Sequence, residues 1–220
     1  MTYFLYLLIA VLAIYSLYFF IKRKKHRPIP QYLPAHYNFG KRQASFIATL
    51  DLLDSRSSKT LIETGTARKG LANVKGDGAG TILFGIWAKQ NNATLHSVDI
   101  DGQAVAASRA AVKAEKLDDV VSVHEMDSLK FLAEFKDPVD FLYLDSYDYD
   151  EKDPVVQQKS QEHHLLEFKA IEDQLHDKSV VLIDDCGLKG GGKGKTVIAY
   201  MQSKGWRIFL EAYQVLLVKA

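Results

Sequence analysis

The chain has 220 residues, 47% of them apolar and 25% charged, which is enough to bury one substantial core and unlike the composition of a disordered chain. A net charge of +1 argues against broad electrostatic attraction to nucleic acid, so no nucleic-acid partner is expected. The single Cys186 excludes an intramolecular disulfide framework and fits a reducing compartment.

The N-terminus departs from that soluble picture. Tyr3 to Ile21 is a run of 19 uncharged residues in which only Ser16 is clearly polar. At about 1.5 Å per residue it nearly matches the roughly 30 Å of membrane hydrocarbon, so a single spanning helix is expected. Lys22, Arg23, Lys24, Lys25 and Arg27 follow it at once, and no lysine or arginine precedes it. The positive-inside rule then places everything downstream in the cytoplasm. A cleaved signal peptide would need basic residues before the run and a small-residue cleavage site after it, and neither is present. Tyr15, Tyr18, Phe19 and Phe20 form either an interfacial aromatic belt or part of the membrane core.

Residues 1–27 are thus expected to be a single-pass membrane anchor with a basic flank. "HRPIPQYLPAHYNFG" (26–40) carries three prolines without helical or strand period, which makes 28–40 a linker and 41–220 the folded domain. That domain opens on an amphipathic helix with Phe46, Ile47, Leu50 and Leu53 at helical spacing. Short apolar runs then alternate with helical segments: "TLIETG" (60–65), "ATLHSVDI" (93–100), "VVSVHEM" (120–126), "VDFLYLD" (139–145) and "SVVLIDD" (179–185). Near-continuous Val, Ile and Leu between helices predicts a parallel sheet covered on both faces. "WRIFLEA" and "QVLLVKA" lie too close together for a crossover helix, so they must pair as an antiparallel hairpin. The expected fold is α/β: a doubly wound, mostly parallel seven-stranded sheet with an antiparallel terminal hairpin.

In open α/β sheets ligands bind outside the carboxyl ends of the strands. Glu63 and Gly65 close the first run, Asp99 the second, Asp145 the fourth, and Asp184 with Asp185 the fifth; Asp127 and Ser128 follow the third. Helix capping alone explains Asp101 before "GQAV" and Asp127 before "SLKFL". It does not explain Asp99, which Ile100 and Asp101 separate from the helix. An acidic residue ending the second strand, after a glycine turn at the first, is the arrangement that grips a ribose diol, so the ligand is expected to contain adenosine. No intact G-x-G-x-x-G opens the first helix. Gly76, Gly78 and Gly80 just before Thr81 either let the backbone approach the ligand or shape an enlarged loop.

The order "LIETGT", "LHSVDID", "HEMDSL", "DFLYLDS" and "VVLIDD", followed by a terminal hairpin, resembles the class I S-adenosylmethionine-dependent methyltransferases over nearly all of residues 41–220. The extended "ETGTARKG...GDGAGT" turn and the "GGKG...GW...YQVLL" tail are similar to the branch labelled methyltransferase family 24. The resemblance implies that Glu63, Gly65 and Thr66 line the methionine moiety of S-adenosylmethionine, that Asp99 holds the ribose hydroxyls, and that Asp127 and Ser128 approach the adenine. The first turn departs from the usual compact E-x-G-x-G, being stretched from Arg68 to Gly80.

On the acceptor side, Asp145, Asp184 and Asp185 are oxygen ligands at adjacent strand ends, suited to Mg²⁺ or another divalent cation that would lower an acceptor's pKa. They resemble the metal-binding carboxylates of catechol and caffeoyl-CoA O-methyltransferases, with Asp-Asp in place of Asp-Asn and no lysine in "DSYDYD". The alternative has Asp145 contacting cofactor or substrate and Asp185 capping a loop. His163 and His164 lie on the helix after "YDYDEKDPVVQQKSQ", either one a candidate base or ligand or else a packed or solvent-facing residue, and His164 shares a helical face with Phe168, Ile171 and Leu175. Tyr147 to Asp150 are expected in an acceptor-facing loop. Methyl transfer to an oxygen of a small-molecule, lipid or glycan acceptor at the membrane is the expected activity, with Asp145, His163 and His164 as candidate catalytic residues.

Two rival functions stand beside it. "GGGKGKT" suggests a phosphate-binding loop, but G-x-x-x-x-G-K-[ST] needs glycine where Lys189 stands and normally follows an early strand. The other is a membrane-tethered scaffold that keeps the fold without catalysis. If the loop is not a nucleotide site, Lys193 and Lys195 are expected to meet either an anionic substrate or water.

Overall fold

The apolar runs of the domain become strands, the central ones covered on both faces, and this fixes where the carboxyl ends gather. The computed structural model describes Tyr6, residues 11–18 and residues 37–219. The expected anchor, linker and basic flank lie outside the described residues except at those nine N-terminal positions and at residues 37–40; residues 11–18 are helical and exposed. Among the described residues no helix is long and apolar enough to cross a membrane. The chain from Phe39 onward forms its own unit.

That unit begins with a 3₁₀ turn, Gly40–Arg42, running into α1 (Gln43–Arg56). The elements that follow are β1 (Thr60–Thr64), α2 (Val74–Asp77), α3 (Gly80–Asn91), β2 (Thr94–Asp99), α4 (Gly102–Ala114), β3 (Val121–Glu125), α5 (Ser128–Glu134), β4 (Val139–Leu144), α6 (Pro154–Ile171), β5 (Leu175–Ile183), α7 (Lys195–Ser203), β6 (Trp206–Glu211) and β7 (Val215–Lys219). The seven strands lie in the order β3-β2-β1-β4-β5-β7-β6. The first five pair in parallel, and β7 runs antiparallel to both β5 and β6. The sheet is therefore the mostly parallel one expected, closed by the hairpin. One boundary differs: Leu175 starts β5 rather than extending the helical face of Phe168 and Ile171, because α6 stops at Ile171 and a 3₁₀ turn intervenes.

Alternation along β4 explains the two layers. Leu142 and Leu144 face a cluster that includes Phe168, Ile171, Val181, Ile183, Met201 and Trp206. Phe141 and Tyr143 face the other side, where the Phe84 ring centroid lies 4.7 Å from Phe141 and 5.6 Å from Phe46. Phe46, Leu50 and Leu53 of α1 are buried there, as their spacing predicted, whereas Ile47 is only half-buried.

Helix starts confirm the capping reading. Asp101 and Asp127 accept the backbone N–H of Gln103 and Lys130, and Asp153 accepts those of Val155 and Val156 ahead of Pro154. The stretched first turn closes at Gly80, where a side chain would run into Glu63 Oε1 and the Tyr143 ring. Glycine there lets α3 sit directly against β1 and β4.

Candidate functional site

The switch point between β1 and β4 opens the sheet edge, and Gly65 is built into it. Its φ of +81° favours glycine, and an added Cβ would collide with the backbone carbonyl of Asp145. The turn so formed directs the Thr66 N–H at Asp99 Oδ2, 3.1 Å away, while Asp99 Oδ1 accepts the Asp101 N–H at 2.9 Å. Each carboxylate oxygen thus has one backbone donor and keeps a second lone-pair direction for a ligand hydroxyl.

Two cavities meet at this point, sharing Gly65, Asp99 and Ser146. One, about 190 Å³, is polar and lined also by Thr66, Arg68, Asp77, Asp145 and Asp148. The other, about 340 Å³, is lined also by Val98, Ile100, Asp127, Ser128, Tyr147 and His163. Ile100 is 72% exposed, an apolar side chain at a cavity mouth with no packing partner to justify it in the bare protein.

The structure brings Gly65, Thr66, Asp99, Asp127, Ser128, Asp145 and His163 to these cavities. It does not bring Glu63, His164, Asp184 or Asp185, which line neither. Glu63 is 2% exposed and points inward, where Oε2 accepts hydroxyls from Thr81 (2.5 Å) and Ser97 (2.6 Å). Burial pushes its carboxyl up to about 8, against those two hydrogen bonds. It is the centre of a hydroxyl network that includes Thr66 and Ser108, so it shapes the turn from behind rather than lining it.

His163 faces the larger cavity with Nε2 3.2 Å from Glu167 Oε1 and 3.3 Å from Ser128 Oγ. Burial pulls its pKa down, but the Glu167 carboxylate carries it above the ordinary value. His164 is fully buried, and its Nδ1–H donates to the Ser160 carbonyl at 2.6 Å. Burial drives it down to about 4, so this ring is neutral.

The acidic strand ends do converge: ligand atoms of Asp145, Asp184 and Asp185 all lie within 4.8 Å of one another. Consecutive strand residues point to opposite faces; the two aspartates meet only because the chain turns left-handed at Asp185, φ 53°. What sequence reasoning missed is that cations are already seated there. Arg42 forks onto Asp184, with Nε 2.9 Å from Oδ1 and Nη2 2.7 Å from Oδ2, and Nη2 reaches Asp185 Oδ1 at 3.1 Å. Lys193 Nζ lies 2.7 Å from Asp145 Oδ1 and 3.4 Å from Asp185 Oδ2. Tyr143 donates its hydroxyl to Asp145 Oδ2 at 3.2 Å, and Tyr213 to Asp185 Oδ1 at 2.6 Å. All six carboxylate oxygens therefore face a donor.

A divalent ion bound at about 2.0–2.6 Å would have to share these oxygens with two buried cations, and Lys193 already bridges Asp145 and Asp185 where the ion would have to. As arranged, the three aspartates do not fit the Mg²⁺ that their spacing suggested. The electrostatics agree. Burial raises Asp184, but the Arg42 fork carries it below the usual carboxylate range; loss of water and the Asp184 charge push Asp145 up, against the pull of Lys193.

Lys193 reaches the carboxylates through the glycine run, which is where the sequence expectation for it is overturned. It is 2% exposed, meeting neither solvent nor an open anion site. Gly190, Gly191 and Gly192 have φ of 81°, 91° and 54°, and a Cβ on Gly192 would overlap the Asp185 carbonyl. Gln161 Nε2 ties the loop down at the Gly190 and Gly192 carbonyls. The loop is folded onto aspartates, opposite in charge to what a phosphate needs.

Comparison with known proteins follows the same lines. The family model described as a methyltransferase domain, of methyltransferase family 24, matches residues 75–186, half of the chain. No curated protein matches the sequence. Among solved structures, the Bacillus cereus O-methyltransferase in complex with S-adenosylhomocysteine is similar at 12% identity and a TM-score of 0.55, over 84% of each chain. The S-adenosylhomocysteine-bound methyltransferase PaMTH1 of Podospora anserina is similar at 14% identity and a TM-score of 0.55, over 83% of this chain and 80% of that one. Identities this low speak for the fold; the match over half of the sequence speaks for ancestry, and by it the chain belongs to the methyltransferase family 24 domains.

Proposed function

We propose that this domain transfers a methyl group from S-adenosylmethionine to an oxygen of a small acceptor. The observation that carries the reading is Asp99, set between two joined cavities with a lone-pair direction free on each oxygen. The adenine end fits the larger cavity, over Ile100 and beside Asp127 and Ser128. The amino-acid end fits the polar cavity, where Thr66 and the Arg68 guanidinium meet an α-carboxylate. Bound there, S-adenosylmethionine supplies an electrophilic methyl on a sulfonium.

The chain's own residues must orient the acceptor in line and take its proton. As the new C–O bond forms and the S–C bond breaks, the hydroxyl proton passes to a carboxylate oxygen of Asp145. That carboxyl lines the polar cavity and is pushed above its ordinary range, so it is a stronger base than an exposed aspartate. His163 lies at the adenine end, holding Ser128 rather than the acceptor; His164, neutral and enclosed, supports α6.

We further propose that Tyr3 to Ile21 tethers the domain to the cytoplasmic face of a membrane, where a lipid or glycan is within reach as acceptor. The uncharged run and the basic flank after it support this. The full chain should stay in the membrane fraction through a carbonate wash, and a chain starting at Pro28 should not; release of the full chain would end the tether.

Calorimetry tests the cofactor. S-adenosylhomocysteine should bind the wild type saturably, and Asp99→Ala should weaken it about 100-fold, the effect of losing about 3 kcal/mol of charge-assisted hydrogen bonding. Unchanged affinity in the variant removes Asp99 from the site. Tight ATP binding without S-adenosylhomocysteine binding would favour the nucleotide-loop rival, and no heat from either the scaffold.

A further inference from the structure

The triad has the ligands of a metal site and the occupants of an ion-pair network. We propose that Lys193 is the resident cation of this site, a positioning residue that fixes Asp145 and, with Arg42, makes divalent metal dispensable. Three carboxylates face two buried cations, leaving a net charge of −1 within the cluster. Arg42 takes both oxygens of Asp184 and touches one of Asp185; Lys193 spans Asp145 and Asp185. Asp145 Oδ2 also accepts from the Tyr143 hydroxyl, and Asp185 Oδ1 from the Tyr213 hydroxyl.

The backbone is specialised for this placement. A lysine becomes fully enclosed only when its ammonium is paired, and here the approach runs through three consecutive left-handed glycines held by Gln161. At Gly192 any side chain would overlap the Asp185 carbonyl, so the loop can pass close enough to put Nζ 2.7 Å from Asp145. Asp145 in turn borders the polar cavity together with Gly65 and Ser146. Lys193 therefore sets the direction of the carboxylate at the cavity wall without touching the cavity itself.

Emptying the cation position should turn the triad into a metal site. The test is Mn²⁺ binding, followed by electron paramagnetic resonance on the full chain, in wild type and in Lys193→Met, which keeps most of the stem volume. Wild type should leave Mn²⁺ free. Lys193→Met should bind it at least about 100-fold more tightly, within what removal of a unit charge about 4 Å away supplies at the effective dielectric of a protein surface. That binding should be lost again in Lys193→Met/Asp185→Asn. Lys193→Gln serves as the second variant if Lys193→Met does not fold.

Mn²⁺ bound by the wild type and released by Asp185→Asn would overturn the proposal, as would a folded Lys193 variant that binds no better than wild type. A second arm rests on the methyl-transfer reading: wild-type turnover should be indifferent to EDTA, and sensitivity to it would count against Lys193 as the resident cation. The manganese arm reports on the cation position whether or not methyl transfer is the activity, so the two ideas fail separately.

Discussion

Replacing Arg42 by methionine should cost the fold about 3–5 kcal/mol, because it strips the buried Asp184 carboxylate of the guanidinium that bonds both its oxygens. Urea denaturation measures the loss. The double variant Arg42→Met/Asp184→Leu should recover at least half of it, since an apolar pair of similar volume carries no desolvation penalty. A single variant within about 1 kcal/mol of wild type would mean that the fork adds no stability. The sign with pH follows from Asp184 being held below its ordinary 3.8. Its contribution is present above that value and fades as pH falls through the depressed folded pKa, so Arg42→Met should also blunt the acid limb of wild-type stability.

Glu63→Gln should act with the opposite sign. The folded carboxyl, pushed up to about 8 from an ordinary 4.5, binds more protons than the unfolded one across that interval. Its contribution is complete below pH 4.5 and is lost as pH rises to 8, a fall of about 5 kcal/mol at 1.36 kcal/mol per unit. Glutamine keeps the shape, still accepts from Thr81 and Ser97, and never ionises. The variant minus wild-type difference should therefore grow steadily between pH 5 and pH 8 in the variant's favour. Parallel stability curves would show that Glu63 is ionised in the fold.

The two side chains illustrate what the sequence could and could not show. The place of Asp99 at the cavities was legible because it follows from order along the chain: a strand end, a glycine turn earlier, a helix cap two residues on. Gly65 was legible for the same reason. The carboxyl ends of β4 and β5 announced Asp145, Asp184 and Asp185, and adjacency in the sheet does bring them together. Spacing says nothing about which cation arrives. Arg42 lies 142 residues from Asp184, in a turn with no motif of its own, and acidic ligands look alike whether they await a metal or a guanidinium. Lys193 left a faint trace, in that three glycines before a lysine permit a backbone that other residues rarely adopt, and hydrogen bonds from Gln161 fix it. Glu63 was misplaced for a simpler reason. A strand residue two before the turn can face the ligand or the helix behind it, and Gly80 opens space on the helix side.

The Arg42 fork also imposes an order on biogenesis. A chain emerging from the ribosome makes Arg42 and Phe46 early, yet the carboxylates that neutralise this guanidinium are made some 142 residues later, and the Tyr213 hydroxyl that completes them comes later still. Until β5 has been synthesised and threaded beside β4, enclosing Arg42 would bury an unpaired charge. The first helix therefore cannot dock in its final place on a partial chain. Closure of the domain waits until β5 has been made, and the apolar face of the first helix stays uncovered until then.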